Sequence, residues 1–181
     1  MSLQDDYMIY FRDDDIIVRD MIPDDAGYFA QEEIAQGWNS SEEKYLSHIE
    51  DVKNGKAVSL VAVFRGSPAG YINVYPDPAS GPFAGKGYPE IVDFGVLVKF
   101  RRKGIGSVLM DAAEKVAGRY SDTVCLAVGL HNGYGSAQRM YVKRGYIPDG
   151  SGVWYKGKPC TPYDNIYTND DDLVLFMSKT L

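Results

Sequence analysis

The chain is short of the residue types that most often announce a site. Its 181 residues include two cysteines, two histidines and two tryptophans. Cys125 and Cys160 lie far apart with no Cys-x-x-Cys spacing, which argues against a disulfide framework or a zinc site and for a reducing, cytoplasmic setting. Cys125 stands in an apolar run and reads as a small buried hydrophobe, whereas Cys160 stands in a polar stretch and reads as a free thiol. His48 and His131 cannot build a metal cluster by themselves, so no metal is expected. No apolar run approaches the ~18 residues of a membrane span. No basic segment followed by an apolar one suggests a signal peptide. Internal repeats and low-complexity linkers are also missing.

Positive charge is scarce overall, with a formal net charge of -6. It is also unevenly placed. Residues 1–51 carry fourteen Asp and Glu against three Lys and Arg, whereas residues 99–144 carry nine Lys and Arg against three Asp and Glu. Nucleic-acid affinity comes mostly from neutralising phosphates over a wide face, so the acidic balance argues against a nucleic-acid partner. The positive segment is local and suits a small polyanion. With 45% hydrophobic residues the chain can bury a sizeable core, and its length suits one domain, residues 1–181, with a core from about residue 16.

The elements follow from periodicity and punctuation. Ile16–Ile22 is β-branched and reads as a first strand. Two helices follow, one started by Pro23 and two aspartates and stopped by Gly37, the other capped by Ser41 with an apolar stripe of Tyr45, Leu46, Ile49 and Val52. The runs 56–64 and 68–75 meet at Arg65-Gly66-Ser67, a hairpin turn. After a loop rich in Gly and Pro (76–89), Glu90–Val98 is a strand, and an amphipathic helix carries Ile105, Val108, Leu109, Ala112 and Val116 on one face. A buried strand at 122–130, a short helix ended by Gly145, a short strand near Tyr146-Ile147 and a last strand at Leu173–Leu181 complete the order β-α-α-β-β-β-α-β-α-β-β. Residues 148–172 read as a loop. The class is a mixed α/β domain.

The basic residues concentrate in "FRRKGIGSVLM", where Arg101, Arg102 and Lys103 stand directly before Gly104-Ile105-Gly106 and Ser107, between a strand and a helix. The first amides of a helix lack intrahelical acceptors and the macrodipole adds positive potential there. Gly104 and Gly106 let an anion approach the main chain. A P-loop would need Gly-Lys-[Ser/Thr] after four spacers, and a dinucleotide fingerprint would need a third glycine where Leu109 stands. A phosphate cradle and a solvated basic helix start both remain open from the turn alone.

With its context, the turn resembles that of the GNAT superfamily of acetyl-CoA-dependent N-acetyltransferases. The resemblance rests on "EIVDFGVLV", the spacing to "RRKGIG" and the downstream "SAQRMYVKRGY"; it runs from about Ile16 to Leu181 and is strongest from Glu90 to Tyr146. It implies a GNAT-like sheet, mixed and mostly antiparallel, with splayed central strands flanked by helices. It implies that Arg101–Gly106 and Ser107 bind the coenzyme A pyrophosphate, and that the backbone of Phe94 and Val96 pairs with the pantetheine arm and polarises the thioester carbonyl. The implied reaction is direct attack of a primary amine of a small molecule or peptide on the acetyl thioester in a ternary complex. At a lysine-like pKa near 10.4, deprotonating the amine at neutral pH costs roughly 4–5 kcal/mol.

Some family members carry a glutamate base where Glu90 stands; a solvated strand-end carboxylate is the other reading, and Asp93 is a rival base. Tyr141 matches the tyrosine that protonates the departing thiolate, against the alternative that it is core. The pantetheine-contacting asparagine of the family is replaced by Tyr134, with His131 and Asn132 nearby. Acids (Asp24, Asp25, Glu32, Glu33, Glu42, Glu43, Asp170–Asp172) and aromatics (Tyr28, Phe29, Trp38, Trp154, Tyr155, Tyr163, Tyr167) can receive a cationic amine or serve as solvated faces and packing. Exposed aromatics and a terminal strand make a homodimer reasonable. The rival from another class is a non-catalytic acyl-CoA sensor or interaction module.

Overall fold

A computed structural model describes residues 7–163 and 165–181, so the start of the expected domain lies outside the described residues. These form nine strands and four α-helices: β1 (Ile9–Arg12), β2 (Ile16–Asp20), α1 (Pro23–Ala35), α2 (Glu42–Lys53), β3 (Val58–Phe64), β4 (Ser67–Tyr75), β5 (Glu90–Val96), α3 (Ile105–Ala117), β6 (Thr123–Gly129), α4 (Gly135–Lys143), β7 (Ile147–Tyr155), β8 (Lys158–Pro159) and β9 (Leu173–Thr180). The strands run in the order β1-β2-β3-β4-β5-β6-β9-β7-β8 in one mixed, mostly antiparallel sheet. β5 and β6 register in parallel, through Glu90↔Cys125 and Ile91↔Leu126. The GNAT-like α/β expectation holds.

Contacts gather the chain into two compact units, the described residues up to Tyr75 with Asp93–Val116, and Pro76–Val92 with Ala117–Leu181. In the first unit, β3 and β4 form a hairpin whose two-residue loop, Arg65 at φ +48° and Gly66 at φ +85°, has the mirror-image turn that suits strand twist. Arg65 is held there by Asp15, Nε to Oδ1 at 2.7 Å. The helices α1 and α2 bury Ala26, Phe29, Ala30, Tyr45 and Ile49 against Val61, Tyr71 and Leu97. Each large side chain contributes about 1.5–3 kcal/mol by leaving water. Below α1 the Arg19 guanidinium takes both Asp25 oxygens at 2.7 and 2.8 Å, and Asp25 also accepts the Ile22 amide at 2.8 Å. The second unit packs Phe83, Cys125 and Phe176 with Tyr88, Ala127, Trp154 and Val174.

Several expectations need correction. Residues 9–12 form an additional first strand, and the supposed loop after residue 147 contains β7 and β8. The register of β7 against β9 slips between Pro148 and Val153, so a bulge carrying Gly150 and Gly152 at positive φ interrupts the alternation that marks a strand. On α2 only Tyr45 and Ile49 of the apolar stripe are buried; Leu46 and Val52 face solvent. Ser41 occupies the N-cap position without a side-chain cap hydrogen bond.

Candidate functional site

The glycine-rich turn is built from the end of β5. Leu97, fully buried, anchors the strand end and donates its amide to the Ala69 carbonyl at 2.9 Å. A short 3-10 turn over Val98–Phe100 follows, then Arg102 at φ +61° and Gly104 at φ +80° reverse the chain into α3. The Gly104 carbonyl accepts the amides of Ser107 and Val108 at 3.0 and 3.1 Å. Those of Ile105 and Gly106 have no acceptor among the described residues. The first turn of α3 carries no acid, unlike those of α1 and α2. Its positive end is therefore uncompensated by its own side chains.

Phe94 and Val96 turn to the same side of β5. A Cβ added to Gly106 would stand 3.3 Å from Phe94 Cζ and 3.7 Å from Val96 Cγ2, so the glycine closes the turn onto both side chains. Arg101 lies 5.3 Å over the Trp38 ring and donates Nε to the Val96 carbonyl at 3.3 Å. Lys103 sits 5.5 Å over the Phe64 ring, while Arg102 and Ser107 are exposed. Gly95 leaves room for Tyr71, whose ring and hydroxyl would lie 2.8 Å from a Cβ there. The glycine is thus explained by a close approach.

Asp93, also in the first unit, has φ +50°, a conformation aspartate tolerates better than most residues. Its two carboxylate oxygens meet Lys44 Nζ at 3.1 Å and His48 Nε2 at 3.0 Å. Burial alone would raise its pKa, but the His48 hydrogen bond and the Lys44 charge outweigh it and hold the carboxyl below its usual value. Lys44 and His48 belong to no motif of the sequence and come to Asp93 only through the packing of α2.

In the second unit Glu90 is not a solvated strand end. It is half-buried, and desolvation pushes its carboxyl up to about 7. Cys125, its partner across β6, is buried; desolvation and then the Glu90 charge push its thiol up to about 12. Tyr141 on α4 is 6% exposed, and burial, with a smaller contribution from Tyr134, raises its phenol. The phenol keeps its proton at neutral pH. His131 Nε2 and the Tyr134 hydroxyl both donate to Asp171 Oδ1 at 2.9 Å, and these bonds hold the Asp171 carboxyl down. His131 Nδ1 accepts the Gly133 amide at 3.0 Å, which assigns the proton to Nε2. Asn132 is left exposed beside them.

Part of the acid and aromatic set is already used within the first unit. Asp25 pairs with Arg19, Glu32 with Lys99 at 2.6 Å, Glu33 with Tyr71, and Phe29 is core. A cavity of about 300 Å³ is lined by Asp24, Asp25 and Tyr28 of the acid and aromatic set, together with Ile17, Arg19 and Val63, and by none of the residues expected to bind the donor or to carry catalysis.

Residues 20–146 match the acetyltransferase (GNAT) family. The chain belongs to the GNAT acetyltransferase family. Its reaction takes acetyl-CoA and an acceptor as substrates. No curated protein matches the GNAT chain in sequence. Solved structures share its fold. An acetyltransferase from Salmonella typhimurium that modifies the N-terminal serine of ribosomal protein L7/L12 is 12% identical, with a TM-score of 0.70 over 96% of this chain and 99% of that one. Ard1 from Thermoplasma volcanium is 20% identical, with a TM-score of 0.66 over 92% and 97%. The RimL ribosomal L7/L12 alpha-N-protein acetyltransferase in complex with coenzyme A is 12% identical, with a TM-score of 0.69 over 96% and 98%. At these identities the likeness is one of fold. Among the described residues no helix of this GNAT protein is long and apolar enough to cross a membrane.

Proposed function

We propose that the protein is an N-acetyltransferase that moves the acetyl group of acetyl-CoA to a primary amine of a peptide or small molecule. The amine attacks directly in a ternary complex. The observation that carries the donor half is the turn into α3: free Ile105 and Gly106 amides, no acid in the first turn, and three adjacent cations. Such an end fits an anion. In this reading Arg101, Arg102, Lys103, Gly104, Ile105, Gly106 and Ser107 hold the pyrophosphate. The backbone of Phe94 and Val96 receives the pantetheine arm and stabilises the negative charge that develops on the thioester oxygen. Glu90, with its carboxyl near 7, takes a proton from the attacking nitrogen, and Tyr141 gives one to the sulfur.

Two structures of this fold are named for acetylating protein N-termini, which makes a peptide α-amino group the first acceptor to try. The test is a thiol-release screen over peptide N-termini, amino acids, polyamines and aminoglycosides. Release with at least one class is expected, and Tyr141→Phe should lower kcat about tenfold or more while leaving KM for acetyl-CoA within about twofold. No thiol with any amine, combined with a coenzyme A thermal shift, would instead leave a binding module.

A further inference from the structure

The first unit contains an unbroken chain of hydrogen bonds that the donor reading does not use. It starts at Asp93, one residue before Phe94 on β5. Asp93 Oδ2 meets His48 Nε2 at 3.0 Å, His48 Nδ1 meets the Tyr75 hydroxyl at 2.9 Å, and that hydroxyl donates to Asp51 Oδ2 at 2.9 Å. The two ends differ in surroundings. Asp51 stands near the end of α2, its other oxygen 3.8 Å from the exposed Lys56. Asp93 faces a polar cluster made by Lys44, Glu33 and Tyr71: Lys44 Nζ lies 3.1 Å from Asp93 Oδ1, 3.0 Å from the Tyr71 hydroxyl and 3.7 Å from Glu33 Oε2.

That cluster is suited to a primary ammonium. Lys44 Nζ is 4.9 Å from the centre of the Tyr45 ring and 5.0 Å from that of Tyr71, the distances of cation–π contact. Tyr45 is fully buried, and its hydroxyl has no partner in hydrogen-bond geometry although it stands beside Glu33 and Tyr71. A buried hydroxyl left in that state destabilises the fold unless something reaches it. The Lys44 side chain is 32% exposed, and a docked acceptor ammonium takes its place beside Asp93. The Tyr71 hydroxyl also lies directly over Gly95, between the two residues proposed to hold the thioester.

We propose that Asp93 takes the first proton from an acceptor ammonium docked in this cluster, and that His48, Tyr75 and Asp51 pass a proton on to solvent. The proposal rests on the N-acetyltransferase reading and deepens it. The stoichiometry asks for such a path. An alkylammonium must lose one proton to free the lone pair that attacks the carbonyl carbon. As the C–N bond forms and the C–S bond breaks, the nitrogen loses a second proton while the sulfur leaves with its electron pair and gains one. Glu90 and Tyr141 balance that second exchange. The first proton is the net product released at neutral pH, and nothing in the donor half carries it away. The chain can: once Asp93 is protonated it can donate to an unprotonated His48 Nε2, while His48 gives Nδ1–H to the Tyr75 oxygen, Tyr75 gives its own proton to Asp51, and Asp51 gives one to solvent. Exchange of the imidazole proton from Nε2 to Nδ1 and rotation of the Tyr75 hydroxyl back toward Asp51 restore the starting arrangement after one proton has passed. The groups facing His48 are then Asp93 on β5, Tyr75 on β4, and Lys44 and Asp51 on α2, with Glu33 on α1 beyond Lys44.

The test compares kcat/KM of the wild type, His48→Gln and Tyr75→Phe for the best amine of the screen. It is run near pH 7, where an alkylamine of pKa near 10.4 arrives almost wholly charged, and near pH 10, where roughly a quarter of it already arrives neutral. The relay predicts a loss of about tenfold or more near neutrality that narrows to within about twofold at the higher pH. Imidazole should restore part of the loss in His48→Ala. A merely structural role lowers both pH values alike and is not rescued, and that result overturns the proposal, as does an unchanged rate in both variants. Should His48→Gln fail to fold, Tyr75→Phe decides, since it deletes only the middle oxygen. A wild type that binds coenzyme A but acetylates no amine removes the enzyme reading and the relay with it; a wild type that acetylates while the variants match it removes the relay alone.

Discussion

Gly95→Ala should destabilise the protein, and the magnitude follows from one side chain. The new Cβ would lie 2.8 Å from Tyr71 Cζ and hydroxyl and 3.0 Å from Cε1. Carbon–carbon contacts settle near 3.5–4.0 Å, so the ring must retreat by close to ~1 Å. Little room exists for that. Phe29 and Tyr45 stand behind it with ring centres at 5.1 Å, and the hydroxyl is tied to Glu33 at 2.6 Å and to Lys44 at 3.0 Å. Overpacking of this kind costs about 1–3 kcal/mol. Losing the bond to the carboxylate adds about 1.5–3 kcal/mol. For a chain of this length the sum corresponds to a fall in Tm of roughly 5–15 °C. In a strand without such a contact, alanine is favoured over glycine by about 0.5–1 kcal/mol, so the sign alone is diagnostic. Thermal and urea unfolding of Gly95→Ala, Tyr71→Leu and the double variant measure it. Leucine has no atom at the Cζ or hydroxyl position, so the double variant should be no less stable than Tyr71→Leu. Strict additivity, or a Gly95→Ala Tm within about 1 °C of the parent, would refute the steric account.

Asp25→Asn leaves the buried Arg19 without its carboxylate and should cost about 3–5 kcal/mol in urea unfolding; a cost below about 1 kcal/mol would mean that water replaces the pair. Glu90 has a folded pKa raised from 4.5 to about 7. Its protonated form is therefore favoured by folding, and the stability it allows is full below 4.5 and lost as pH rises through about 7. Glu90→Gln should match the parent near pH 4 and exceed it near pH 8, by at most about 3 kcal/mol; parallel stability curves would exclude the desolvated carboxyl. Gly106→Trp would push an indole against Phe94 and Val96 at the start of α3. Coenzyme A should then no longer raise the Tm, and a retained shift would separate the turn from donor binding.

The glycine-rich turn was legible as a structural element because its parts are contiguous: a strand, three cations, two glycines and an amphipathic helix all fall within Glu90–Ala117. The hairpin at Arg65-Gly66 was legible for the same reason. Glu90 and Tyr141 were named as candidates from the family resemblance, but their burial depends on residues elsewhere in the chain. The Asp93 chain was not legible, since His48 is 45 positions from Asp93 and 27 from Tyr75. Its one local signal was an acid inside an apolar strand, and the positive φ that aims it is invisible in composition. β7 was hidden by its own bulge: residues 149–152, Asp-Gly-Ser-Gly, read as a turn while the strand continues on both sides.

The burial of Cys125 also makes the proposed chemistry practical to follow. Its thiol, closed off and pushed up to about 12, presents almost no thiolate to an aromatic disulfide reagent at neutral pH. Cys160 is only partly covered. A colorimetric reading of released coenzyme A should therefore start from a baseline of one protein sulfur per chain, consumed before the donor is added. Cys160→Ser would remove that baseline, leaving the acetylation reaction as the source of colour.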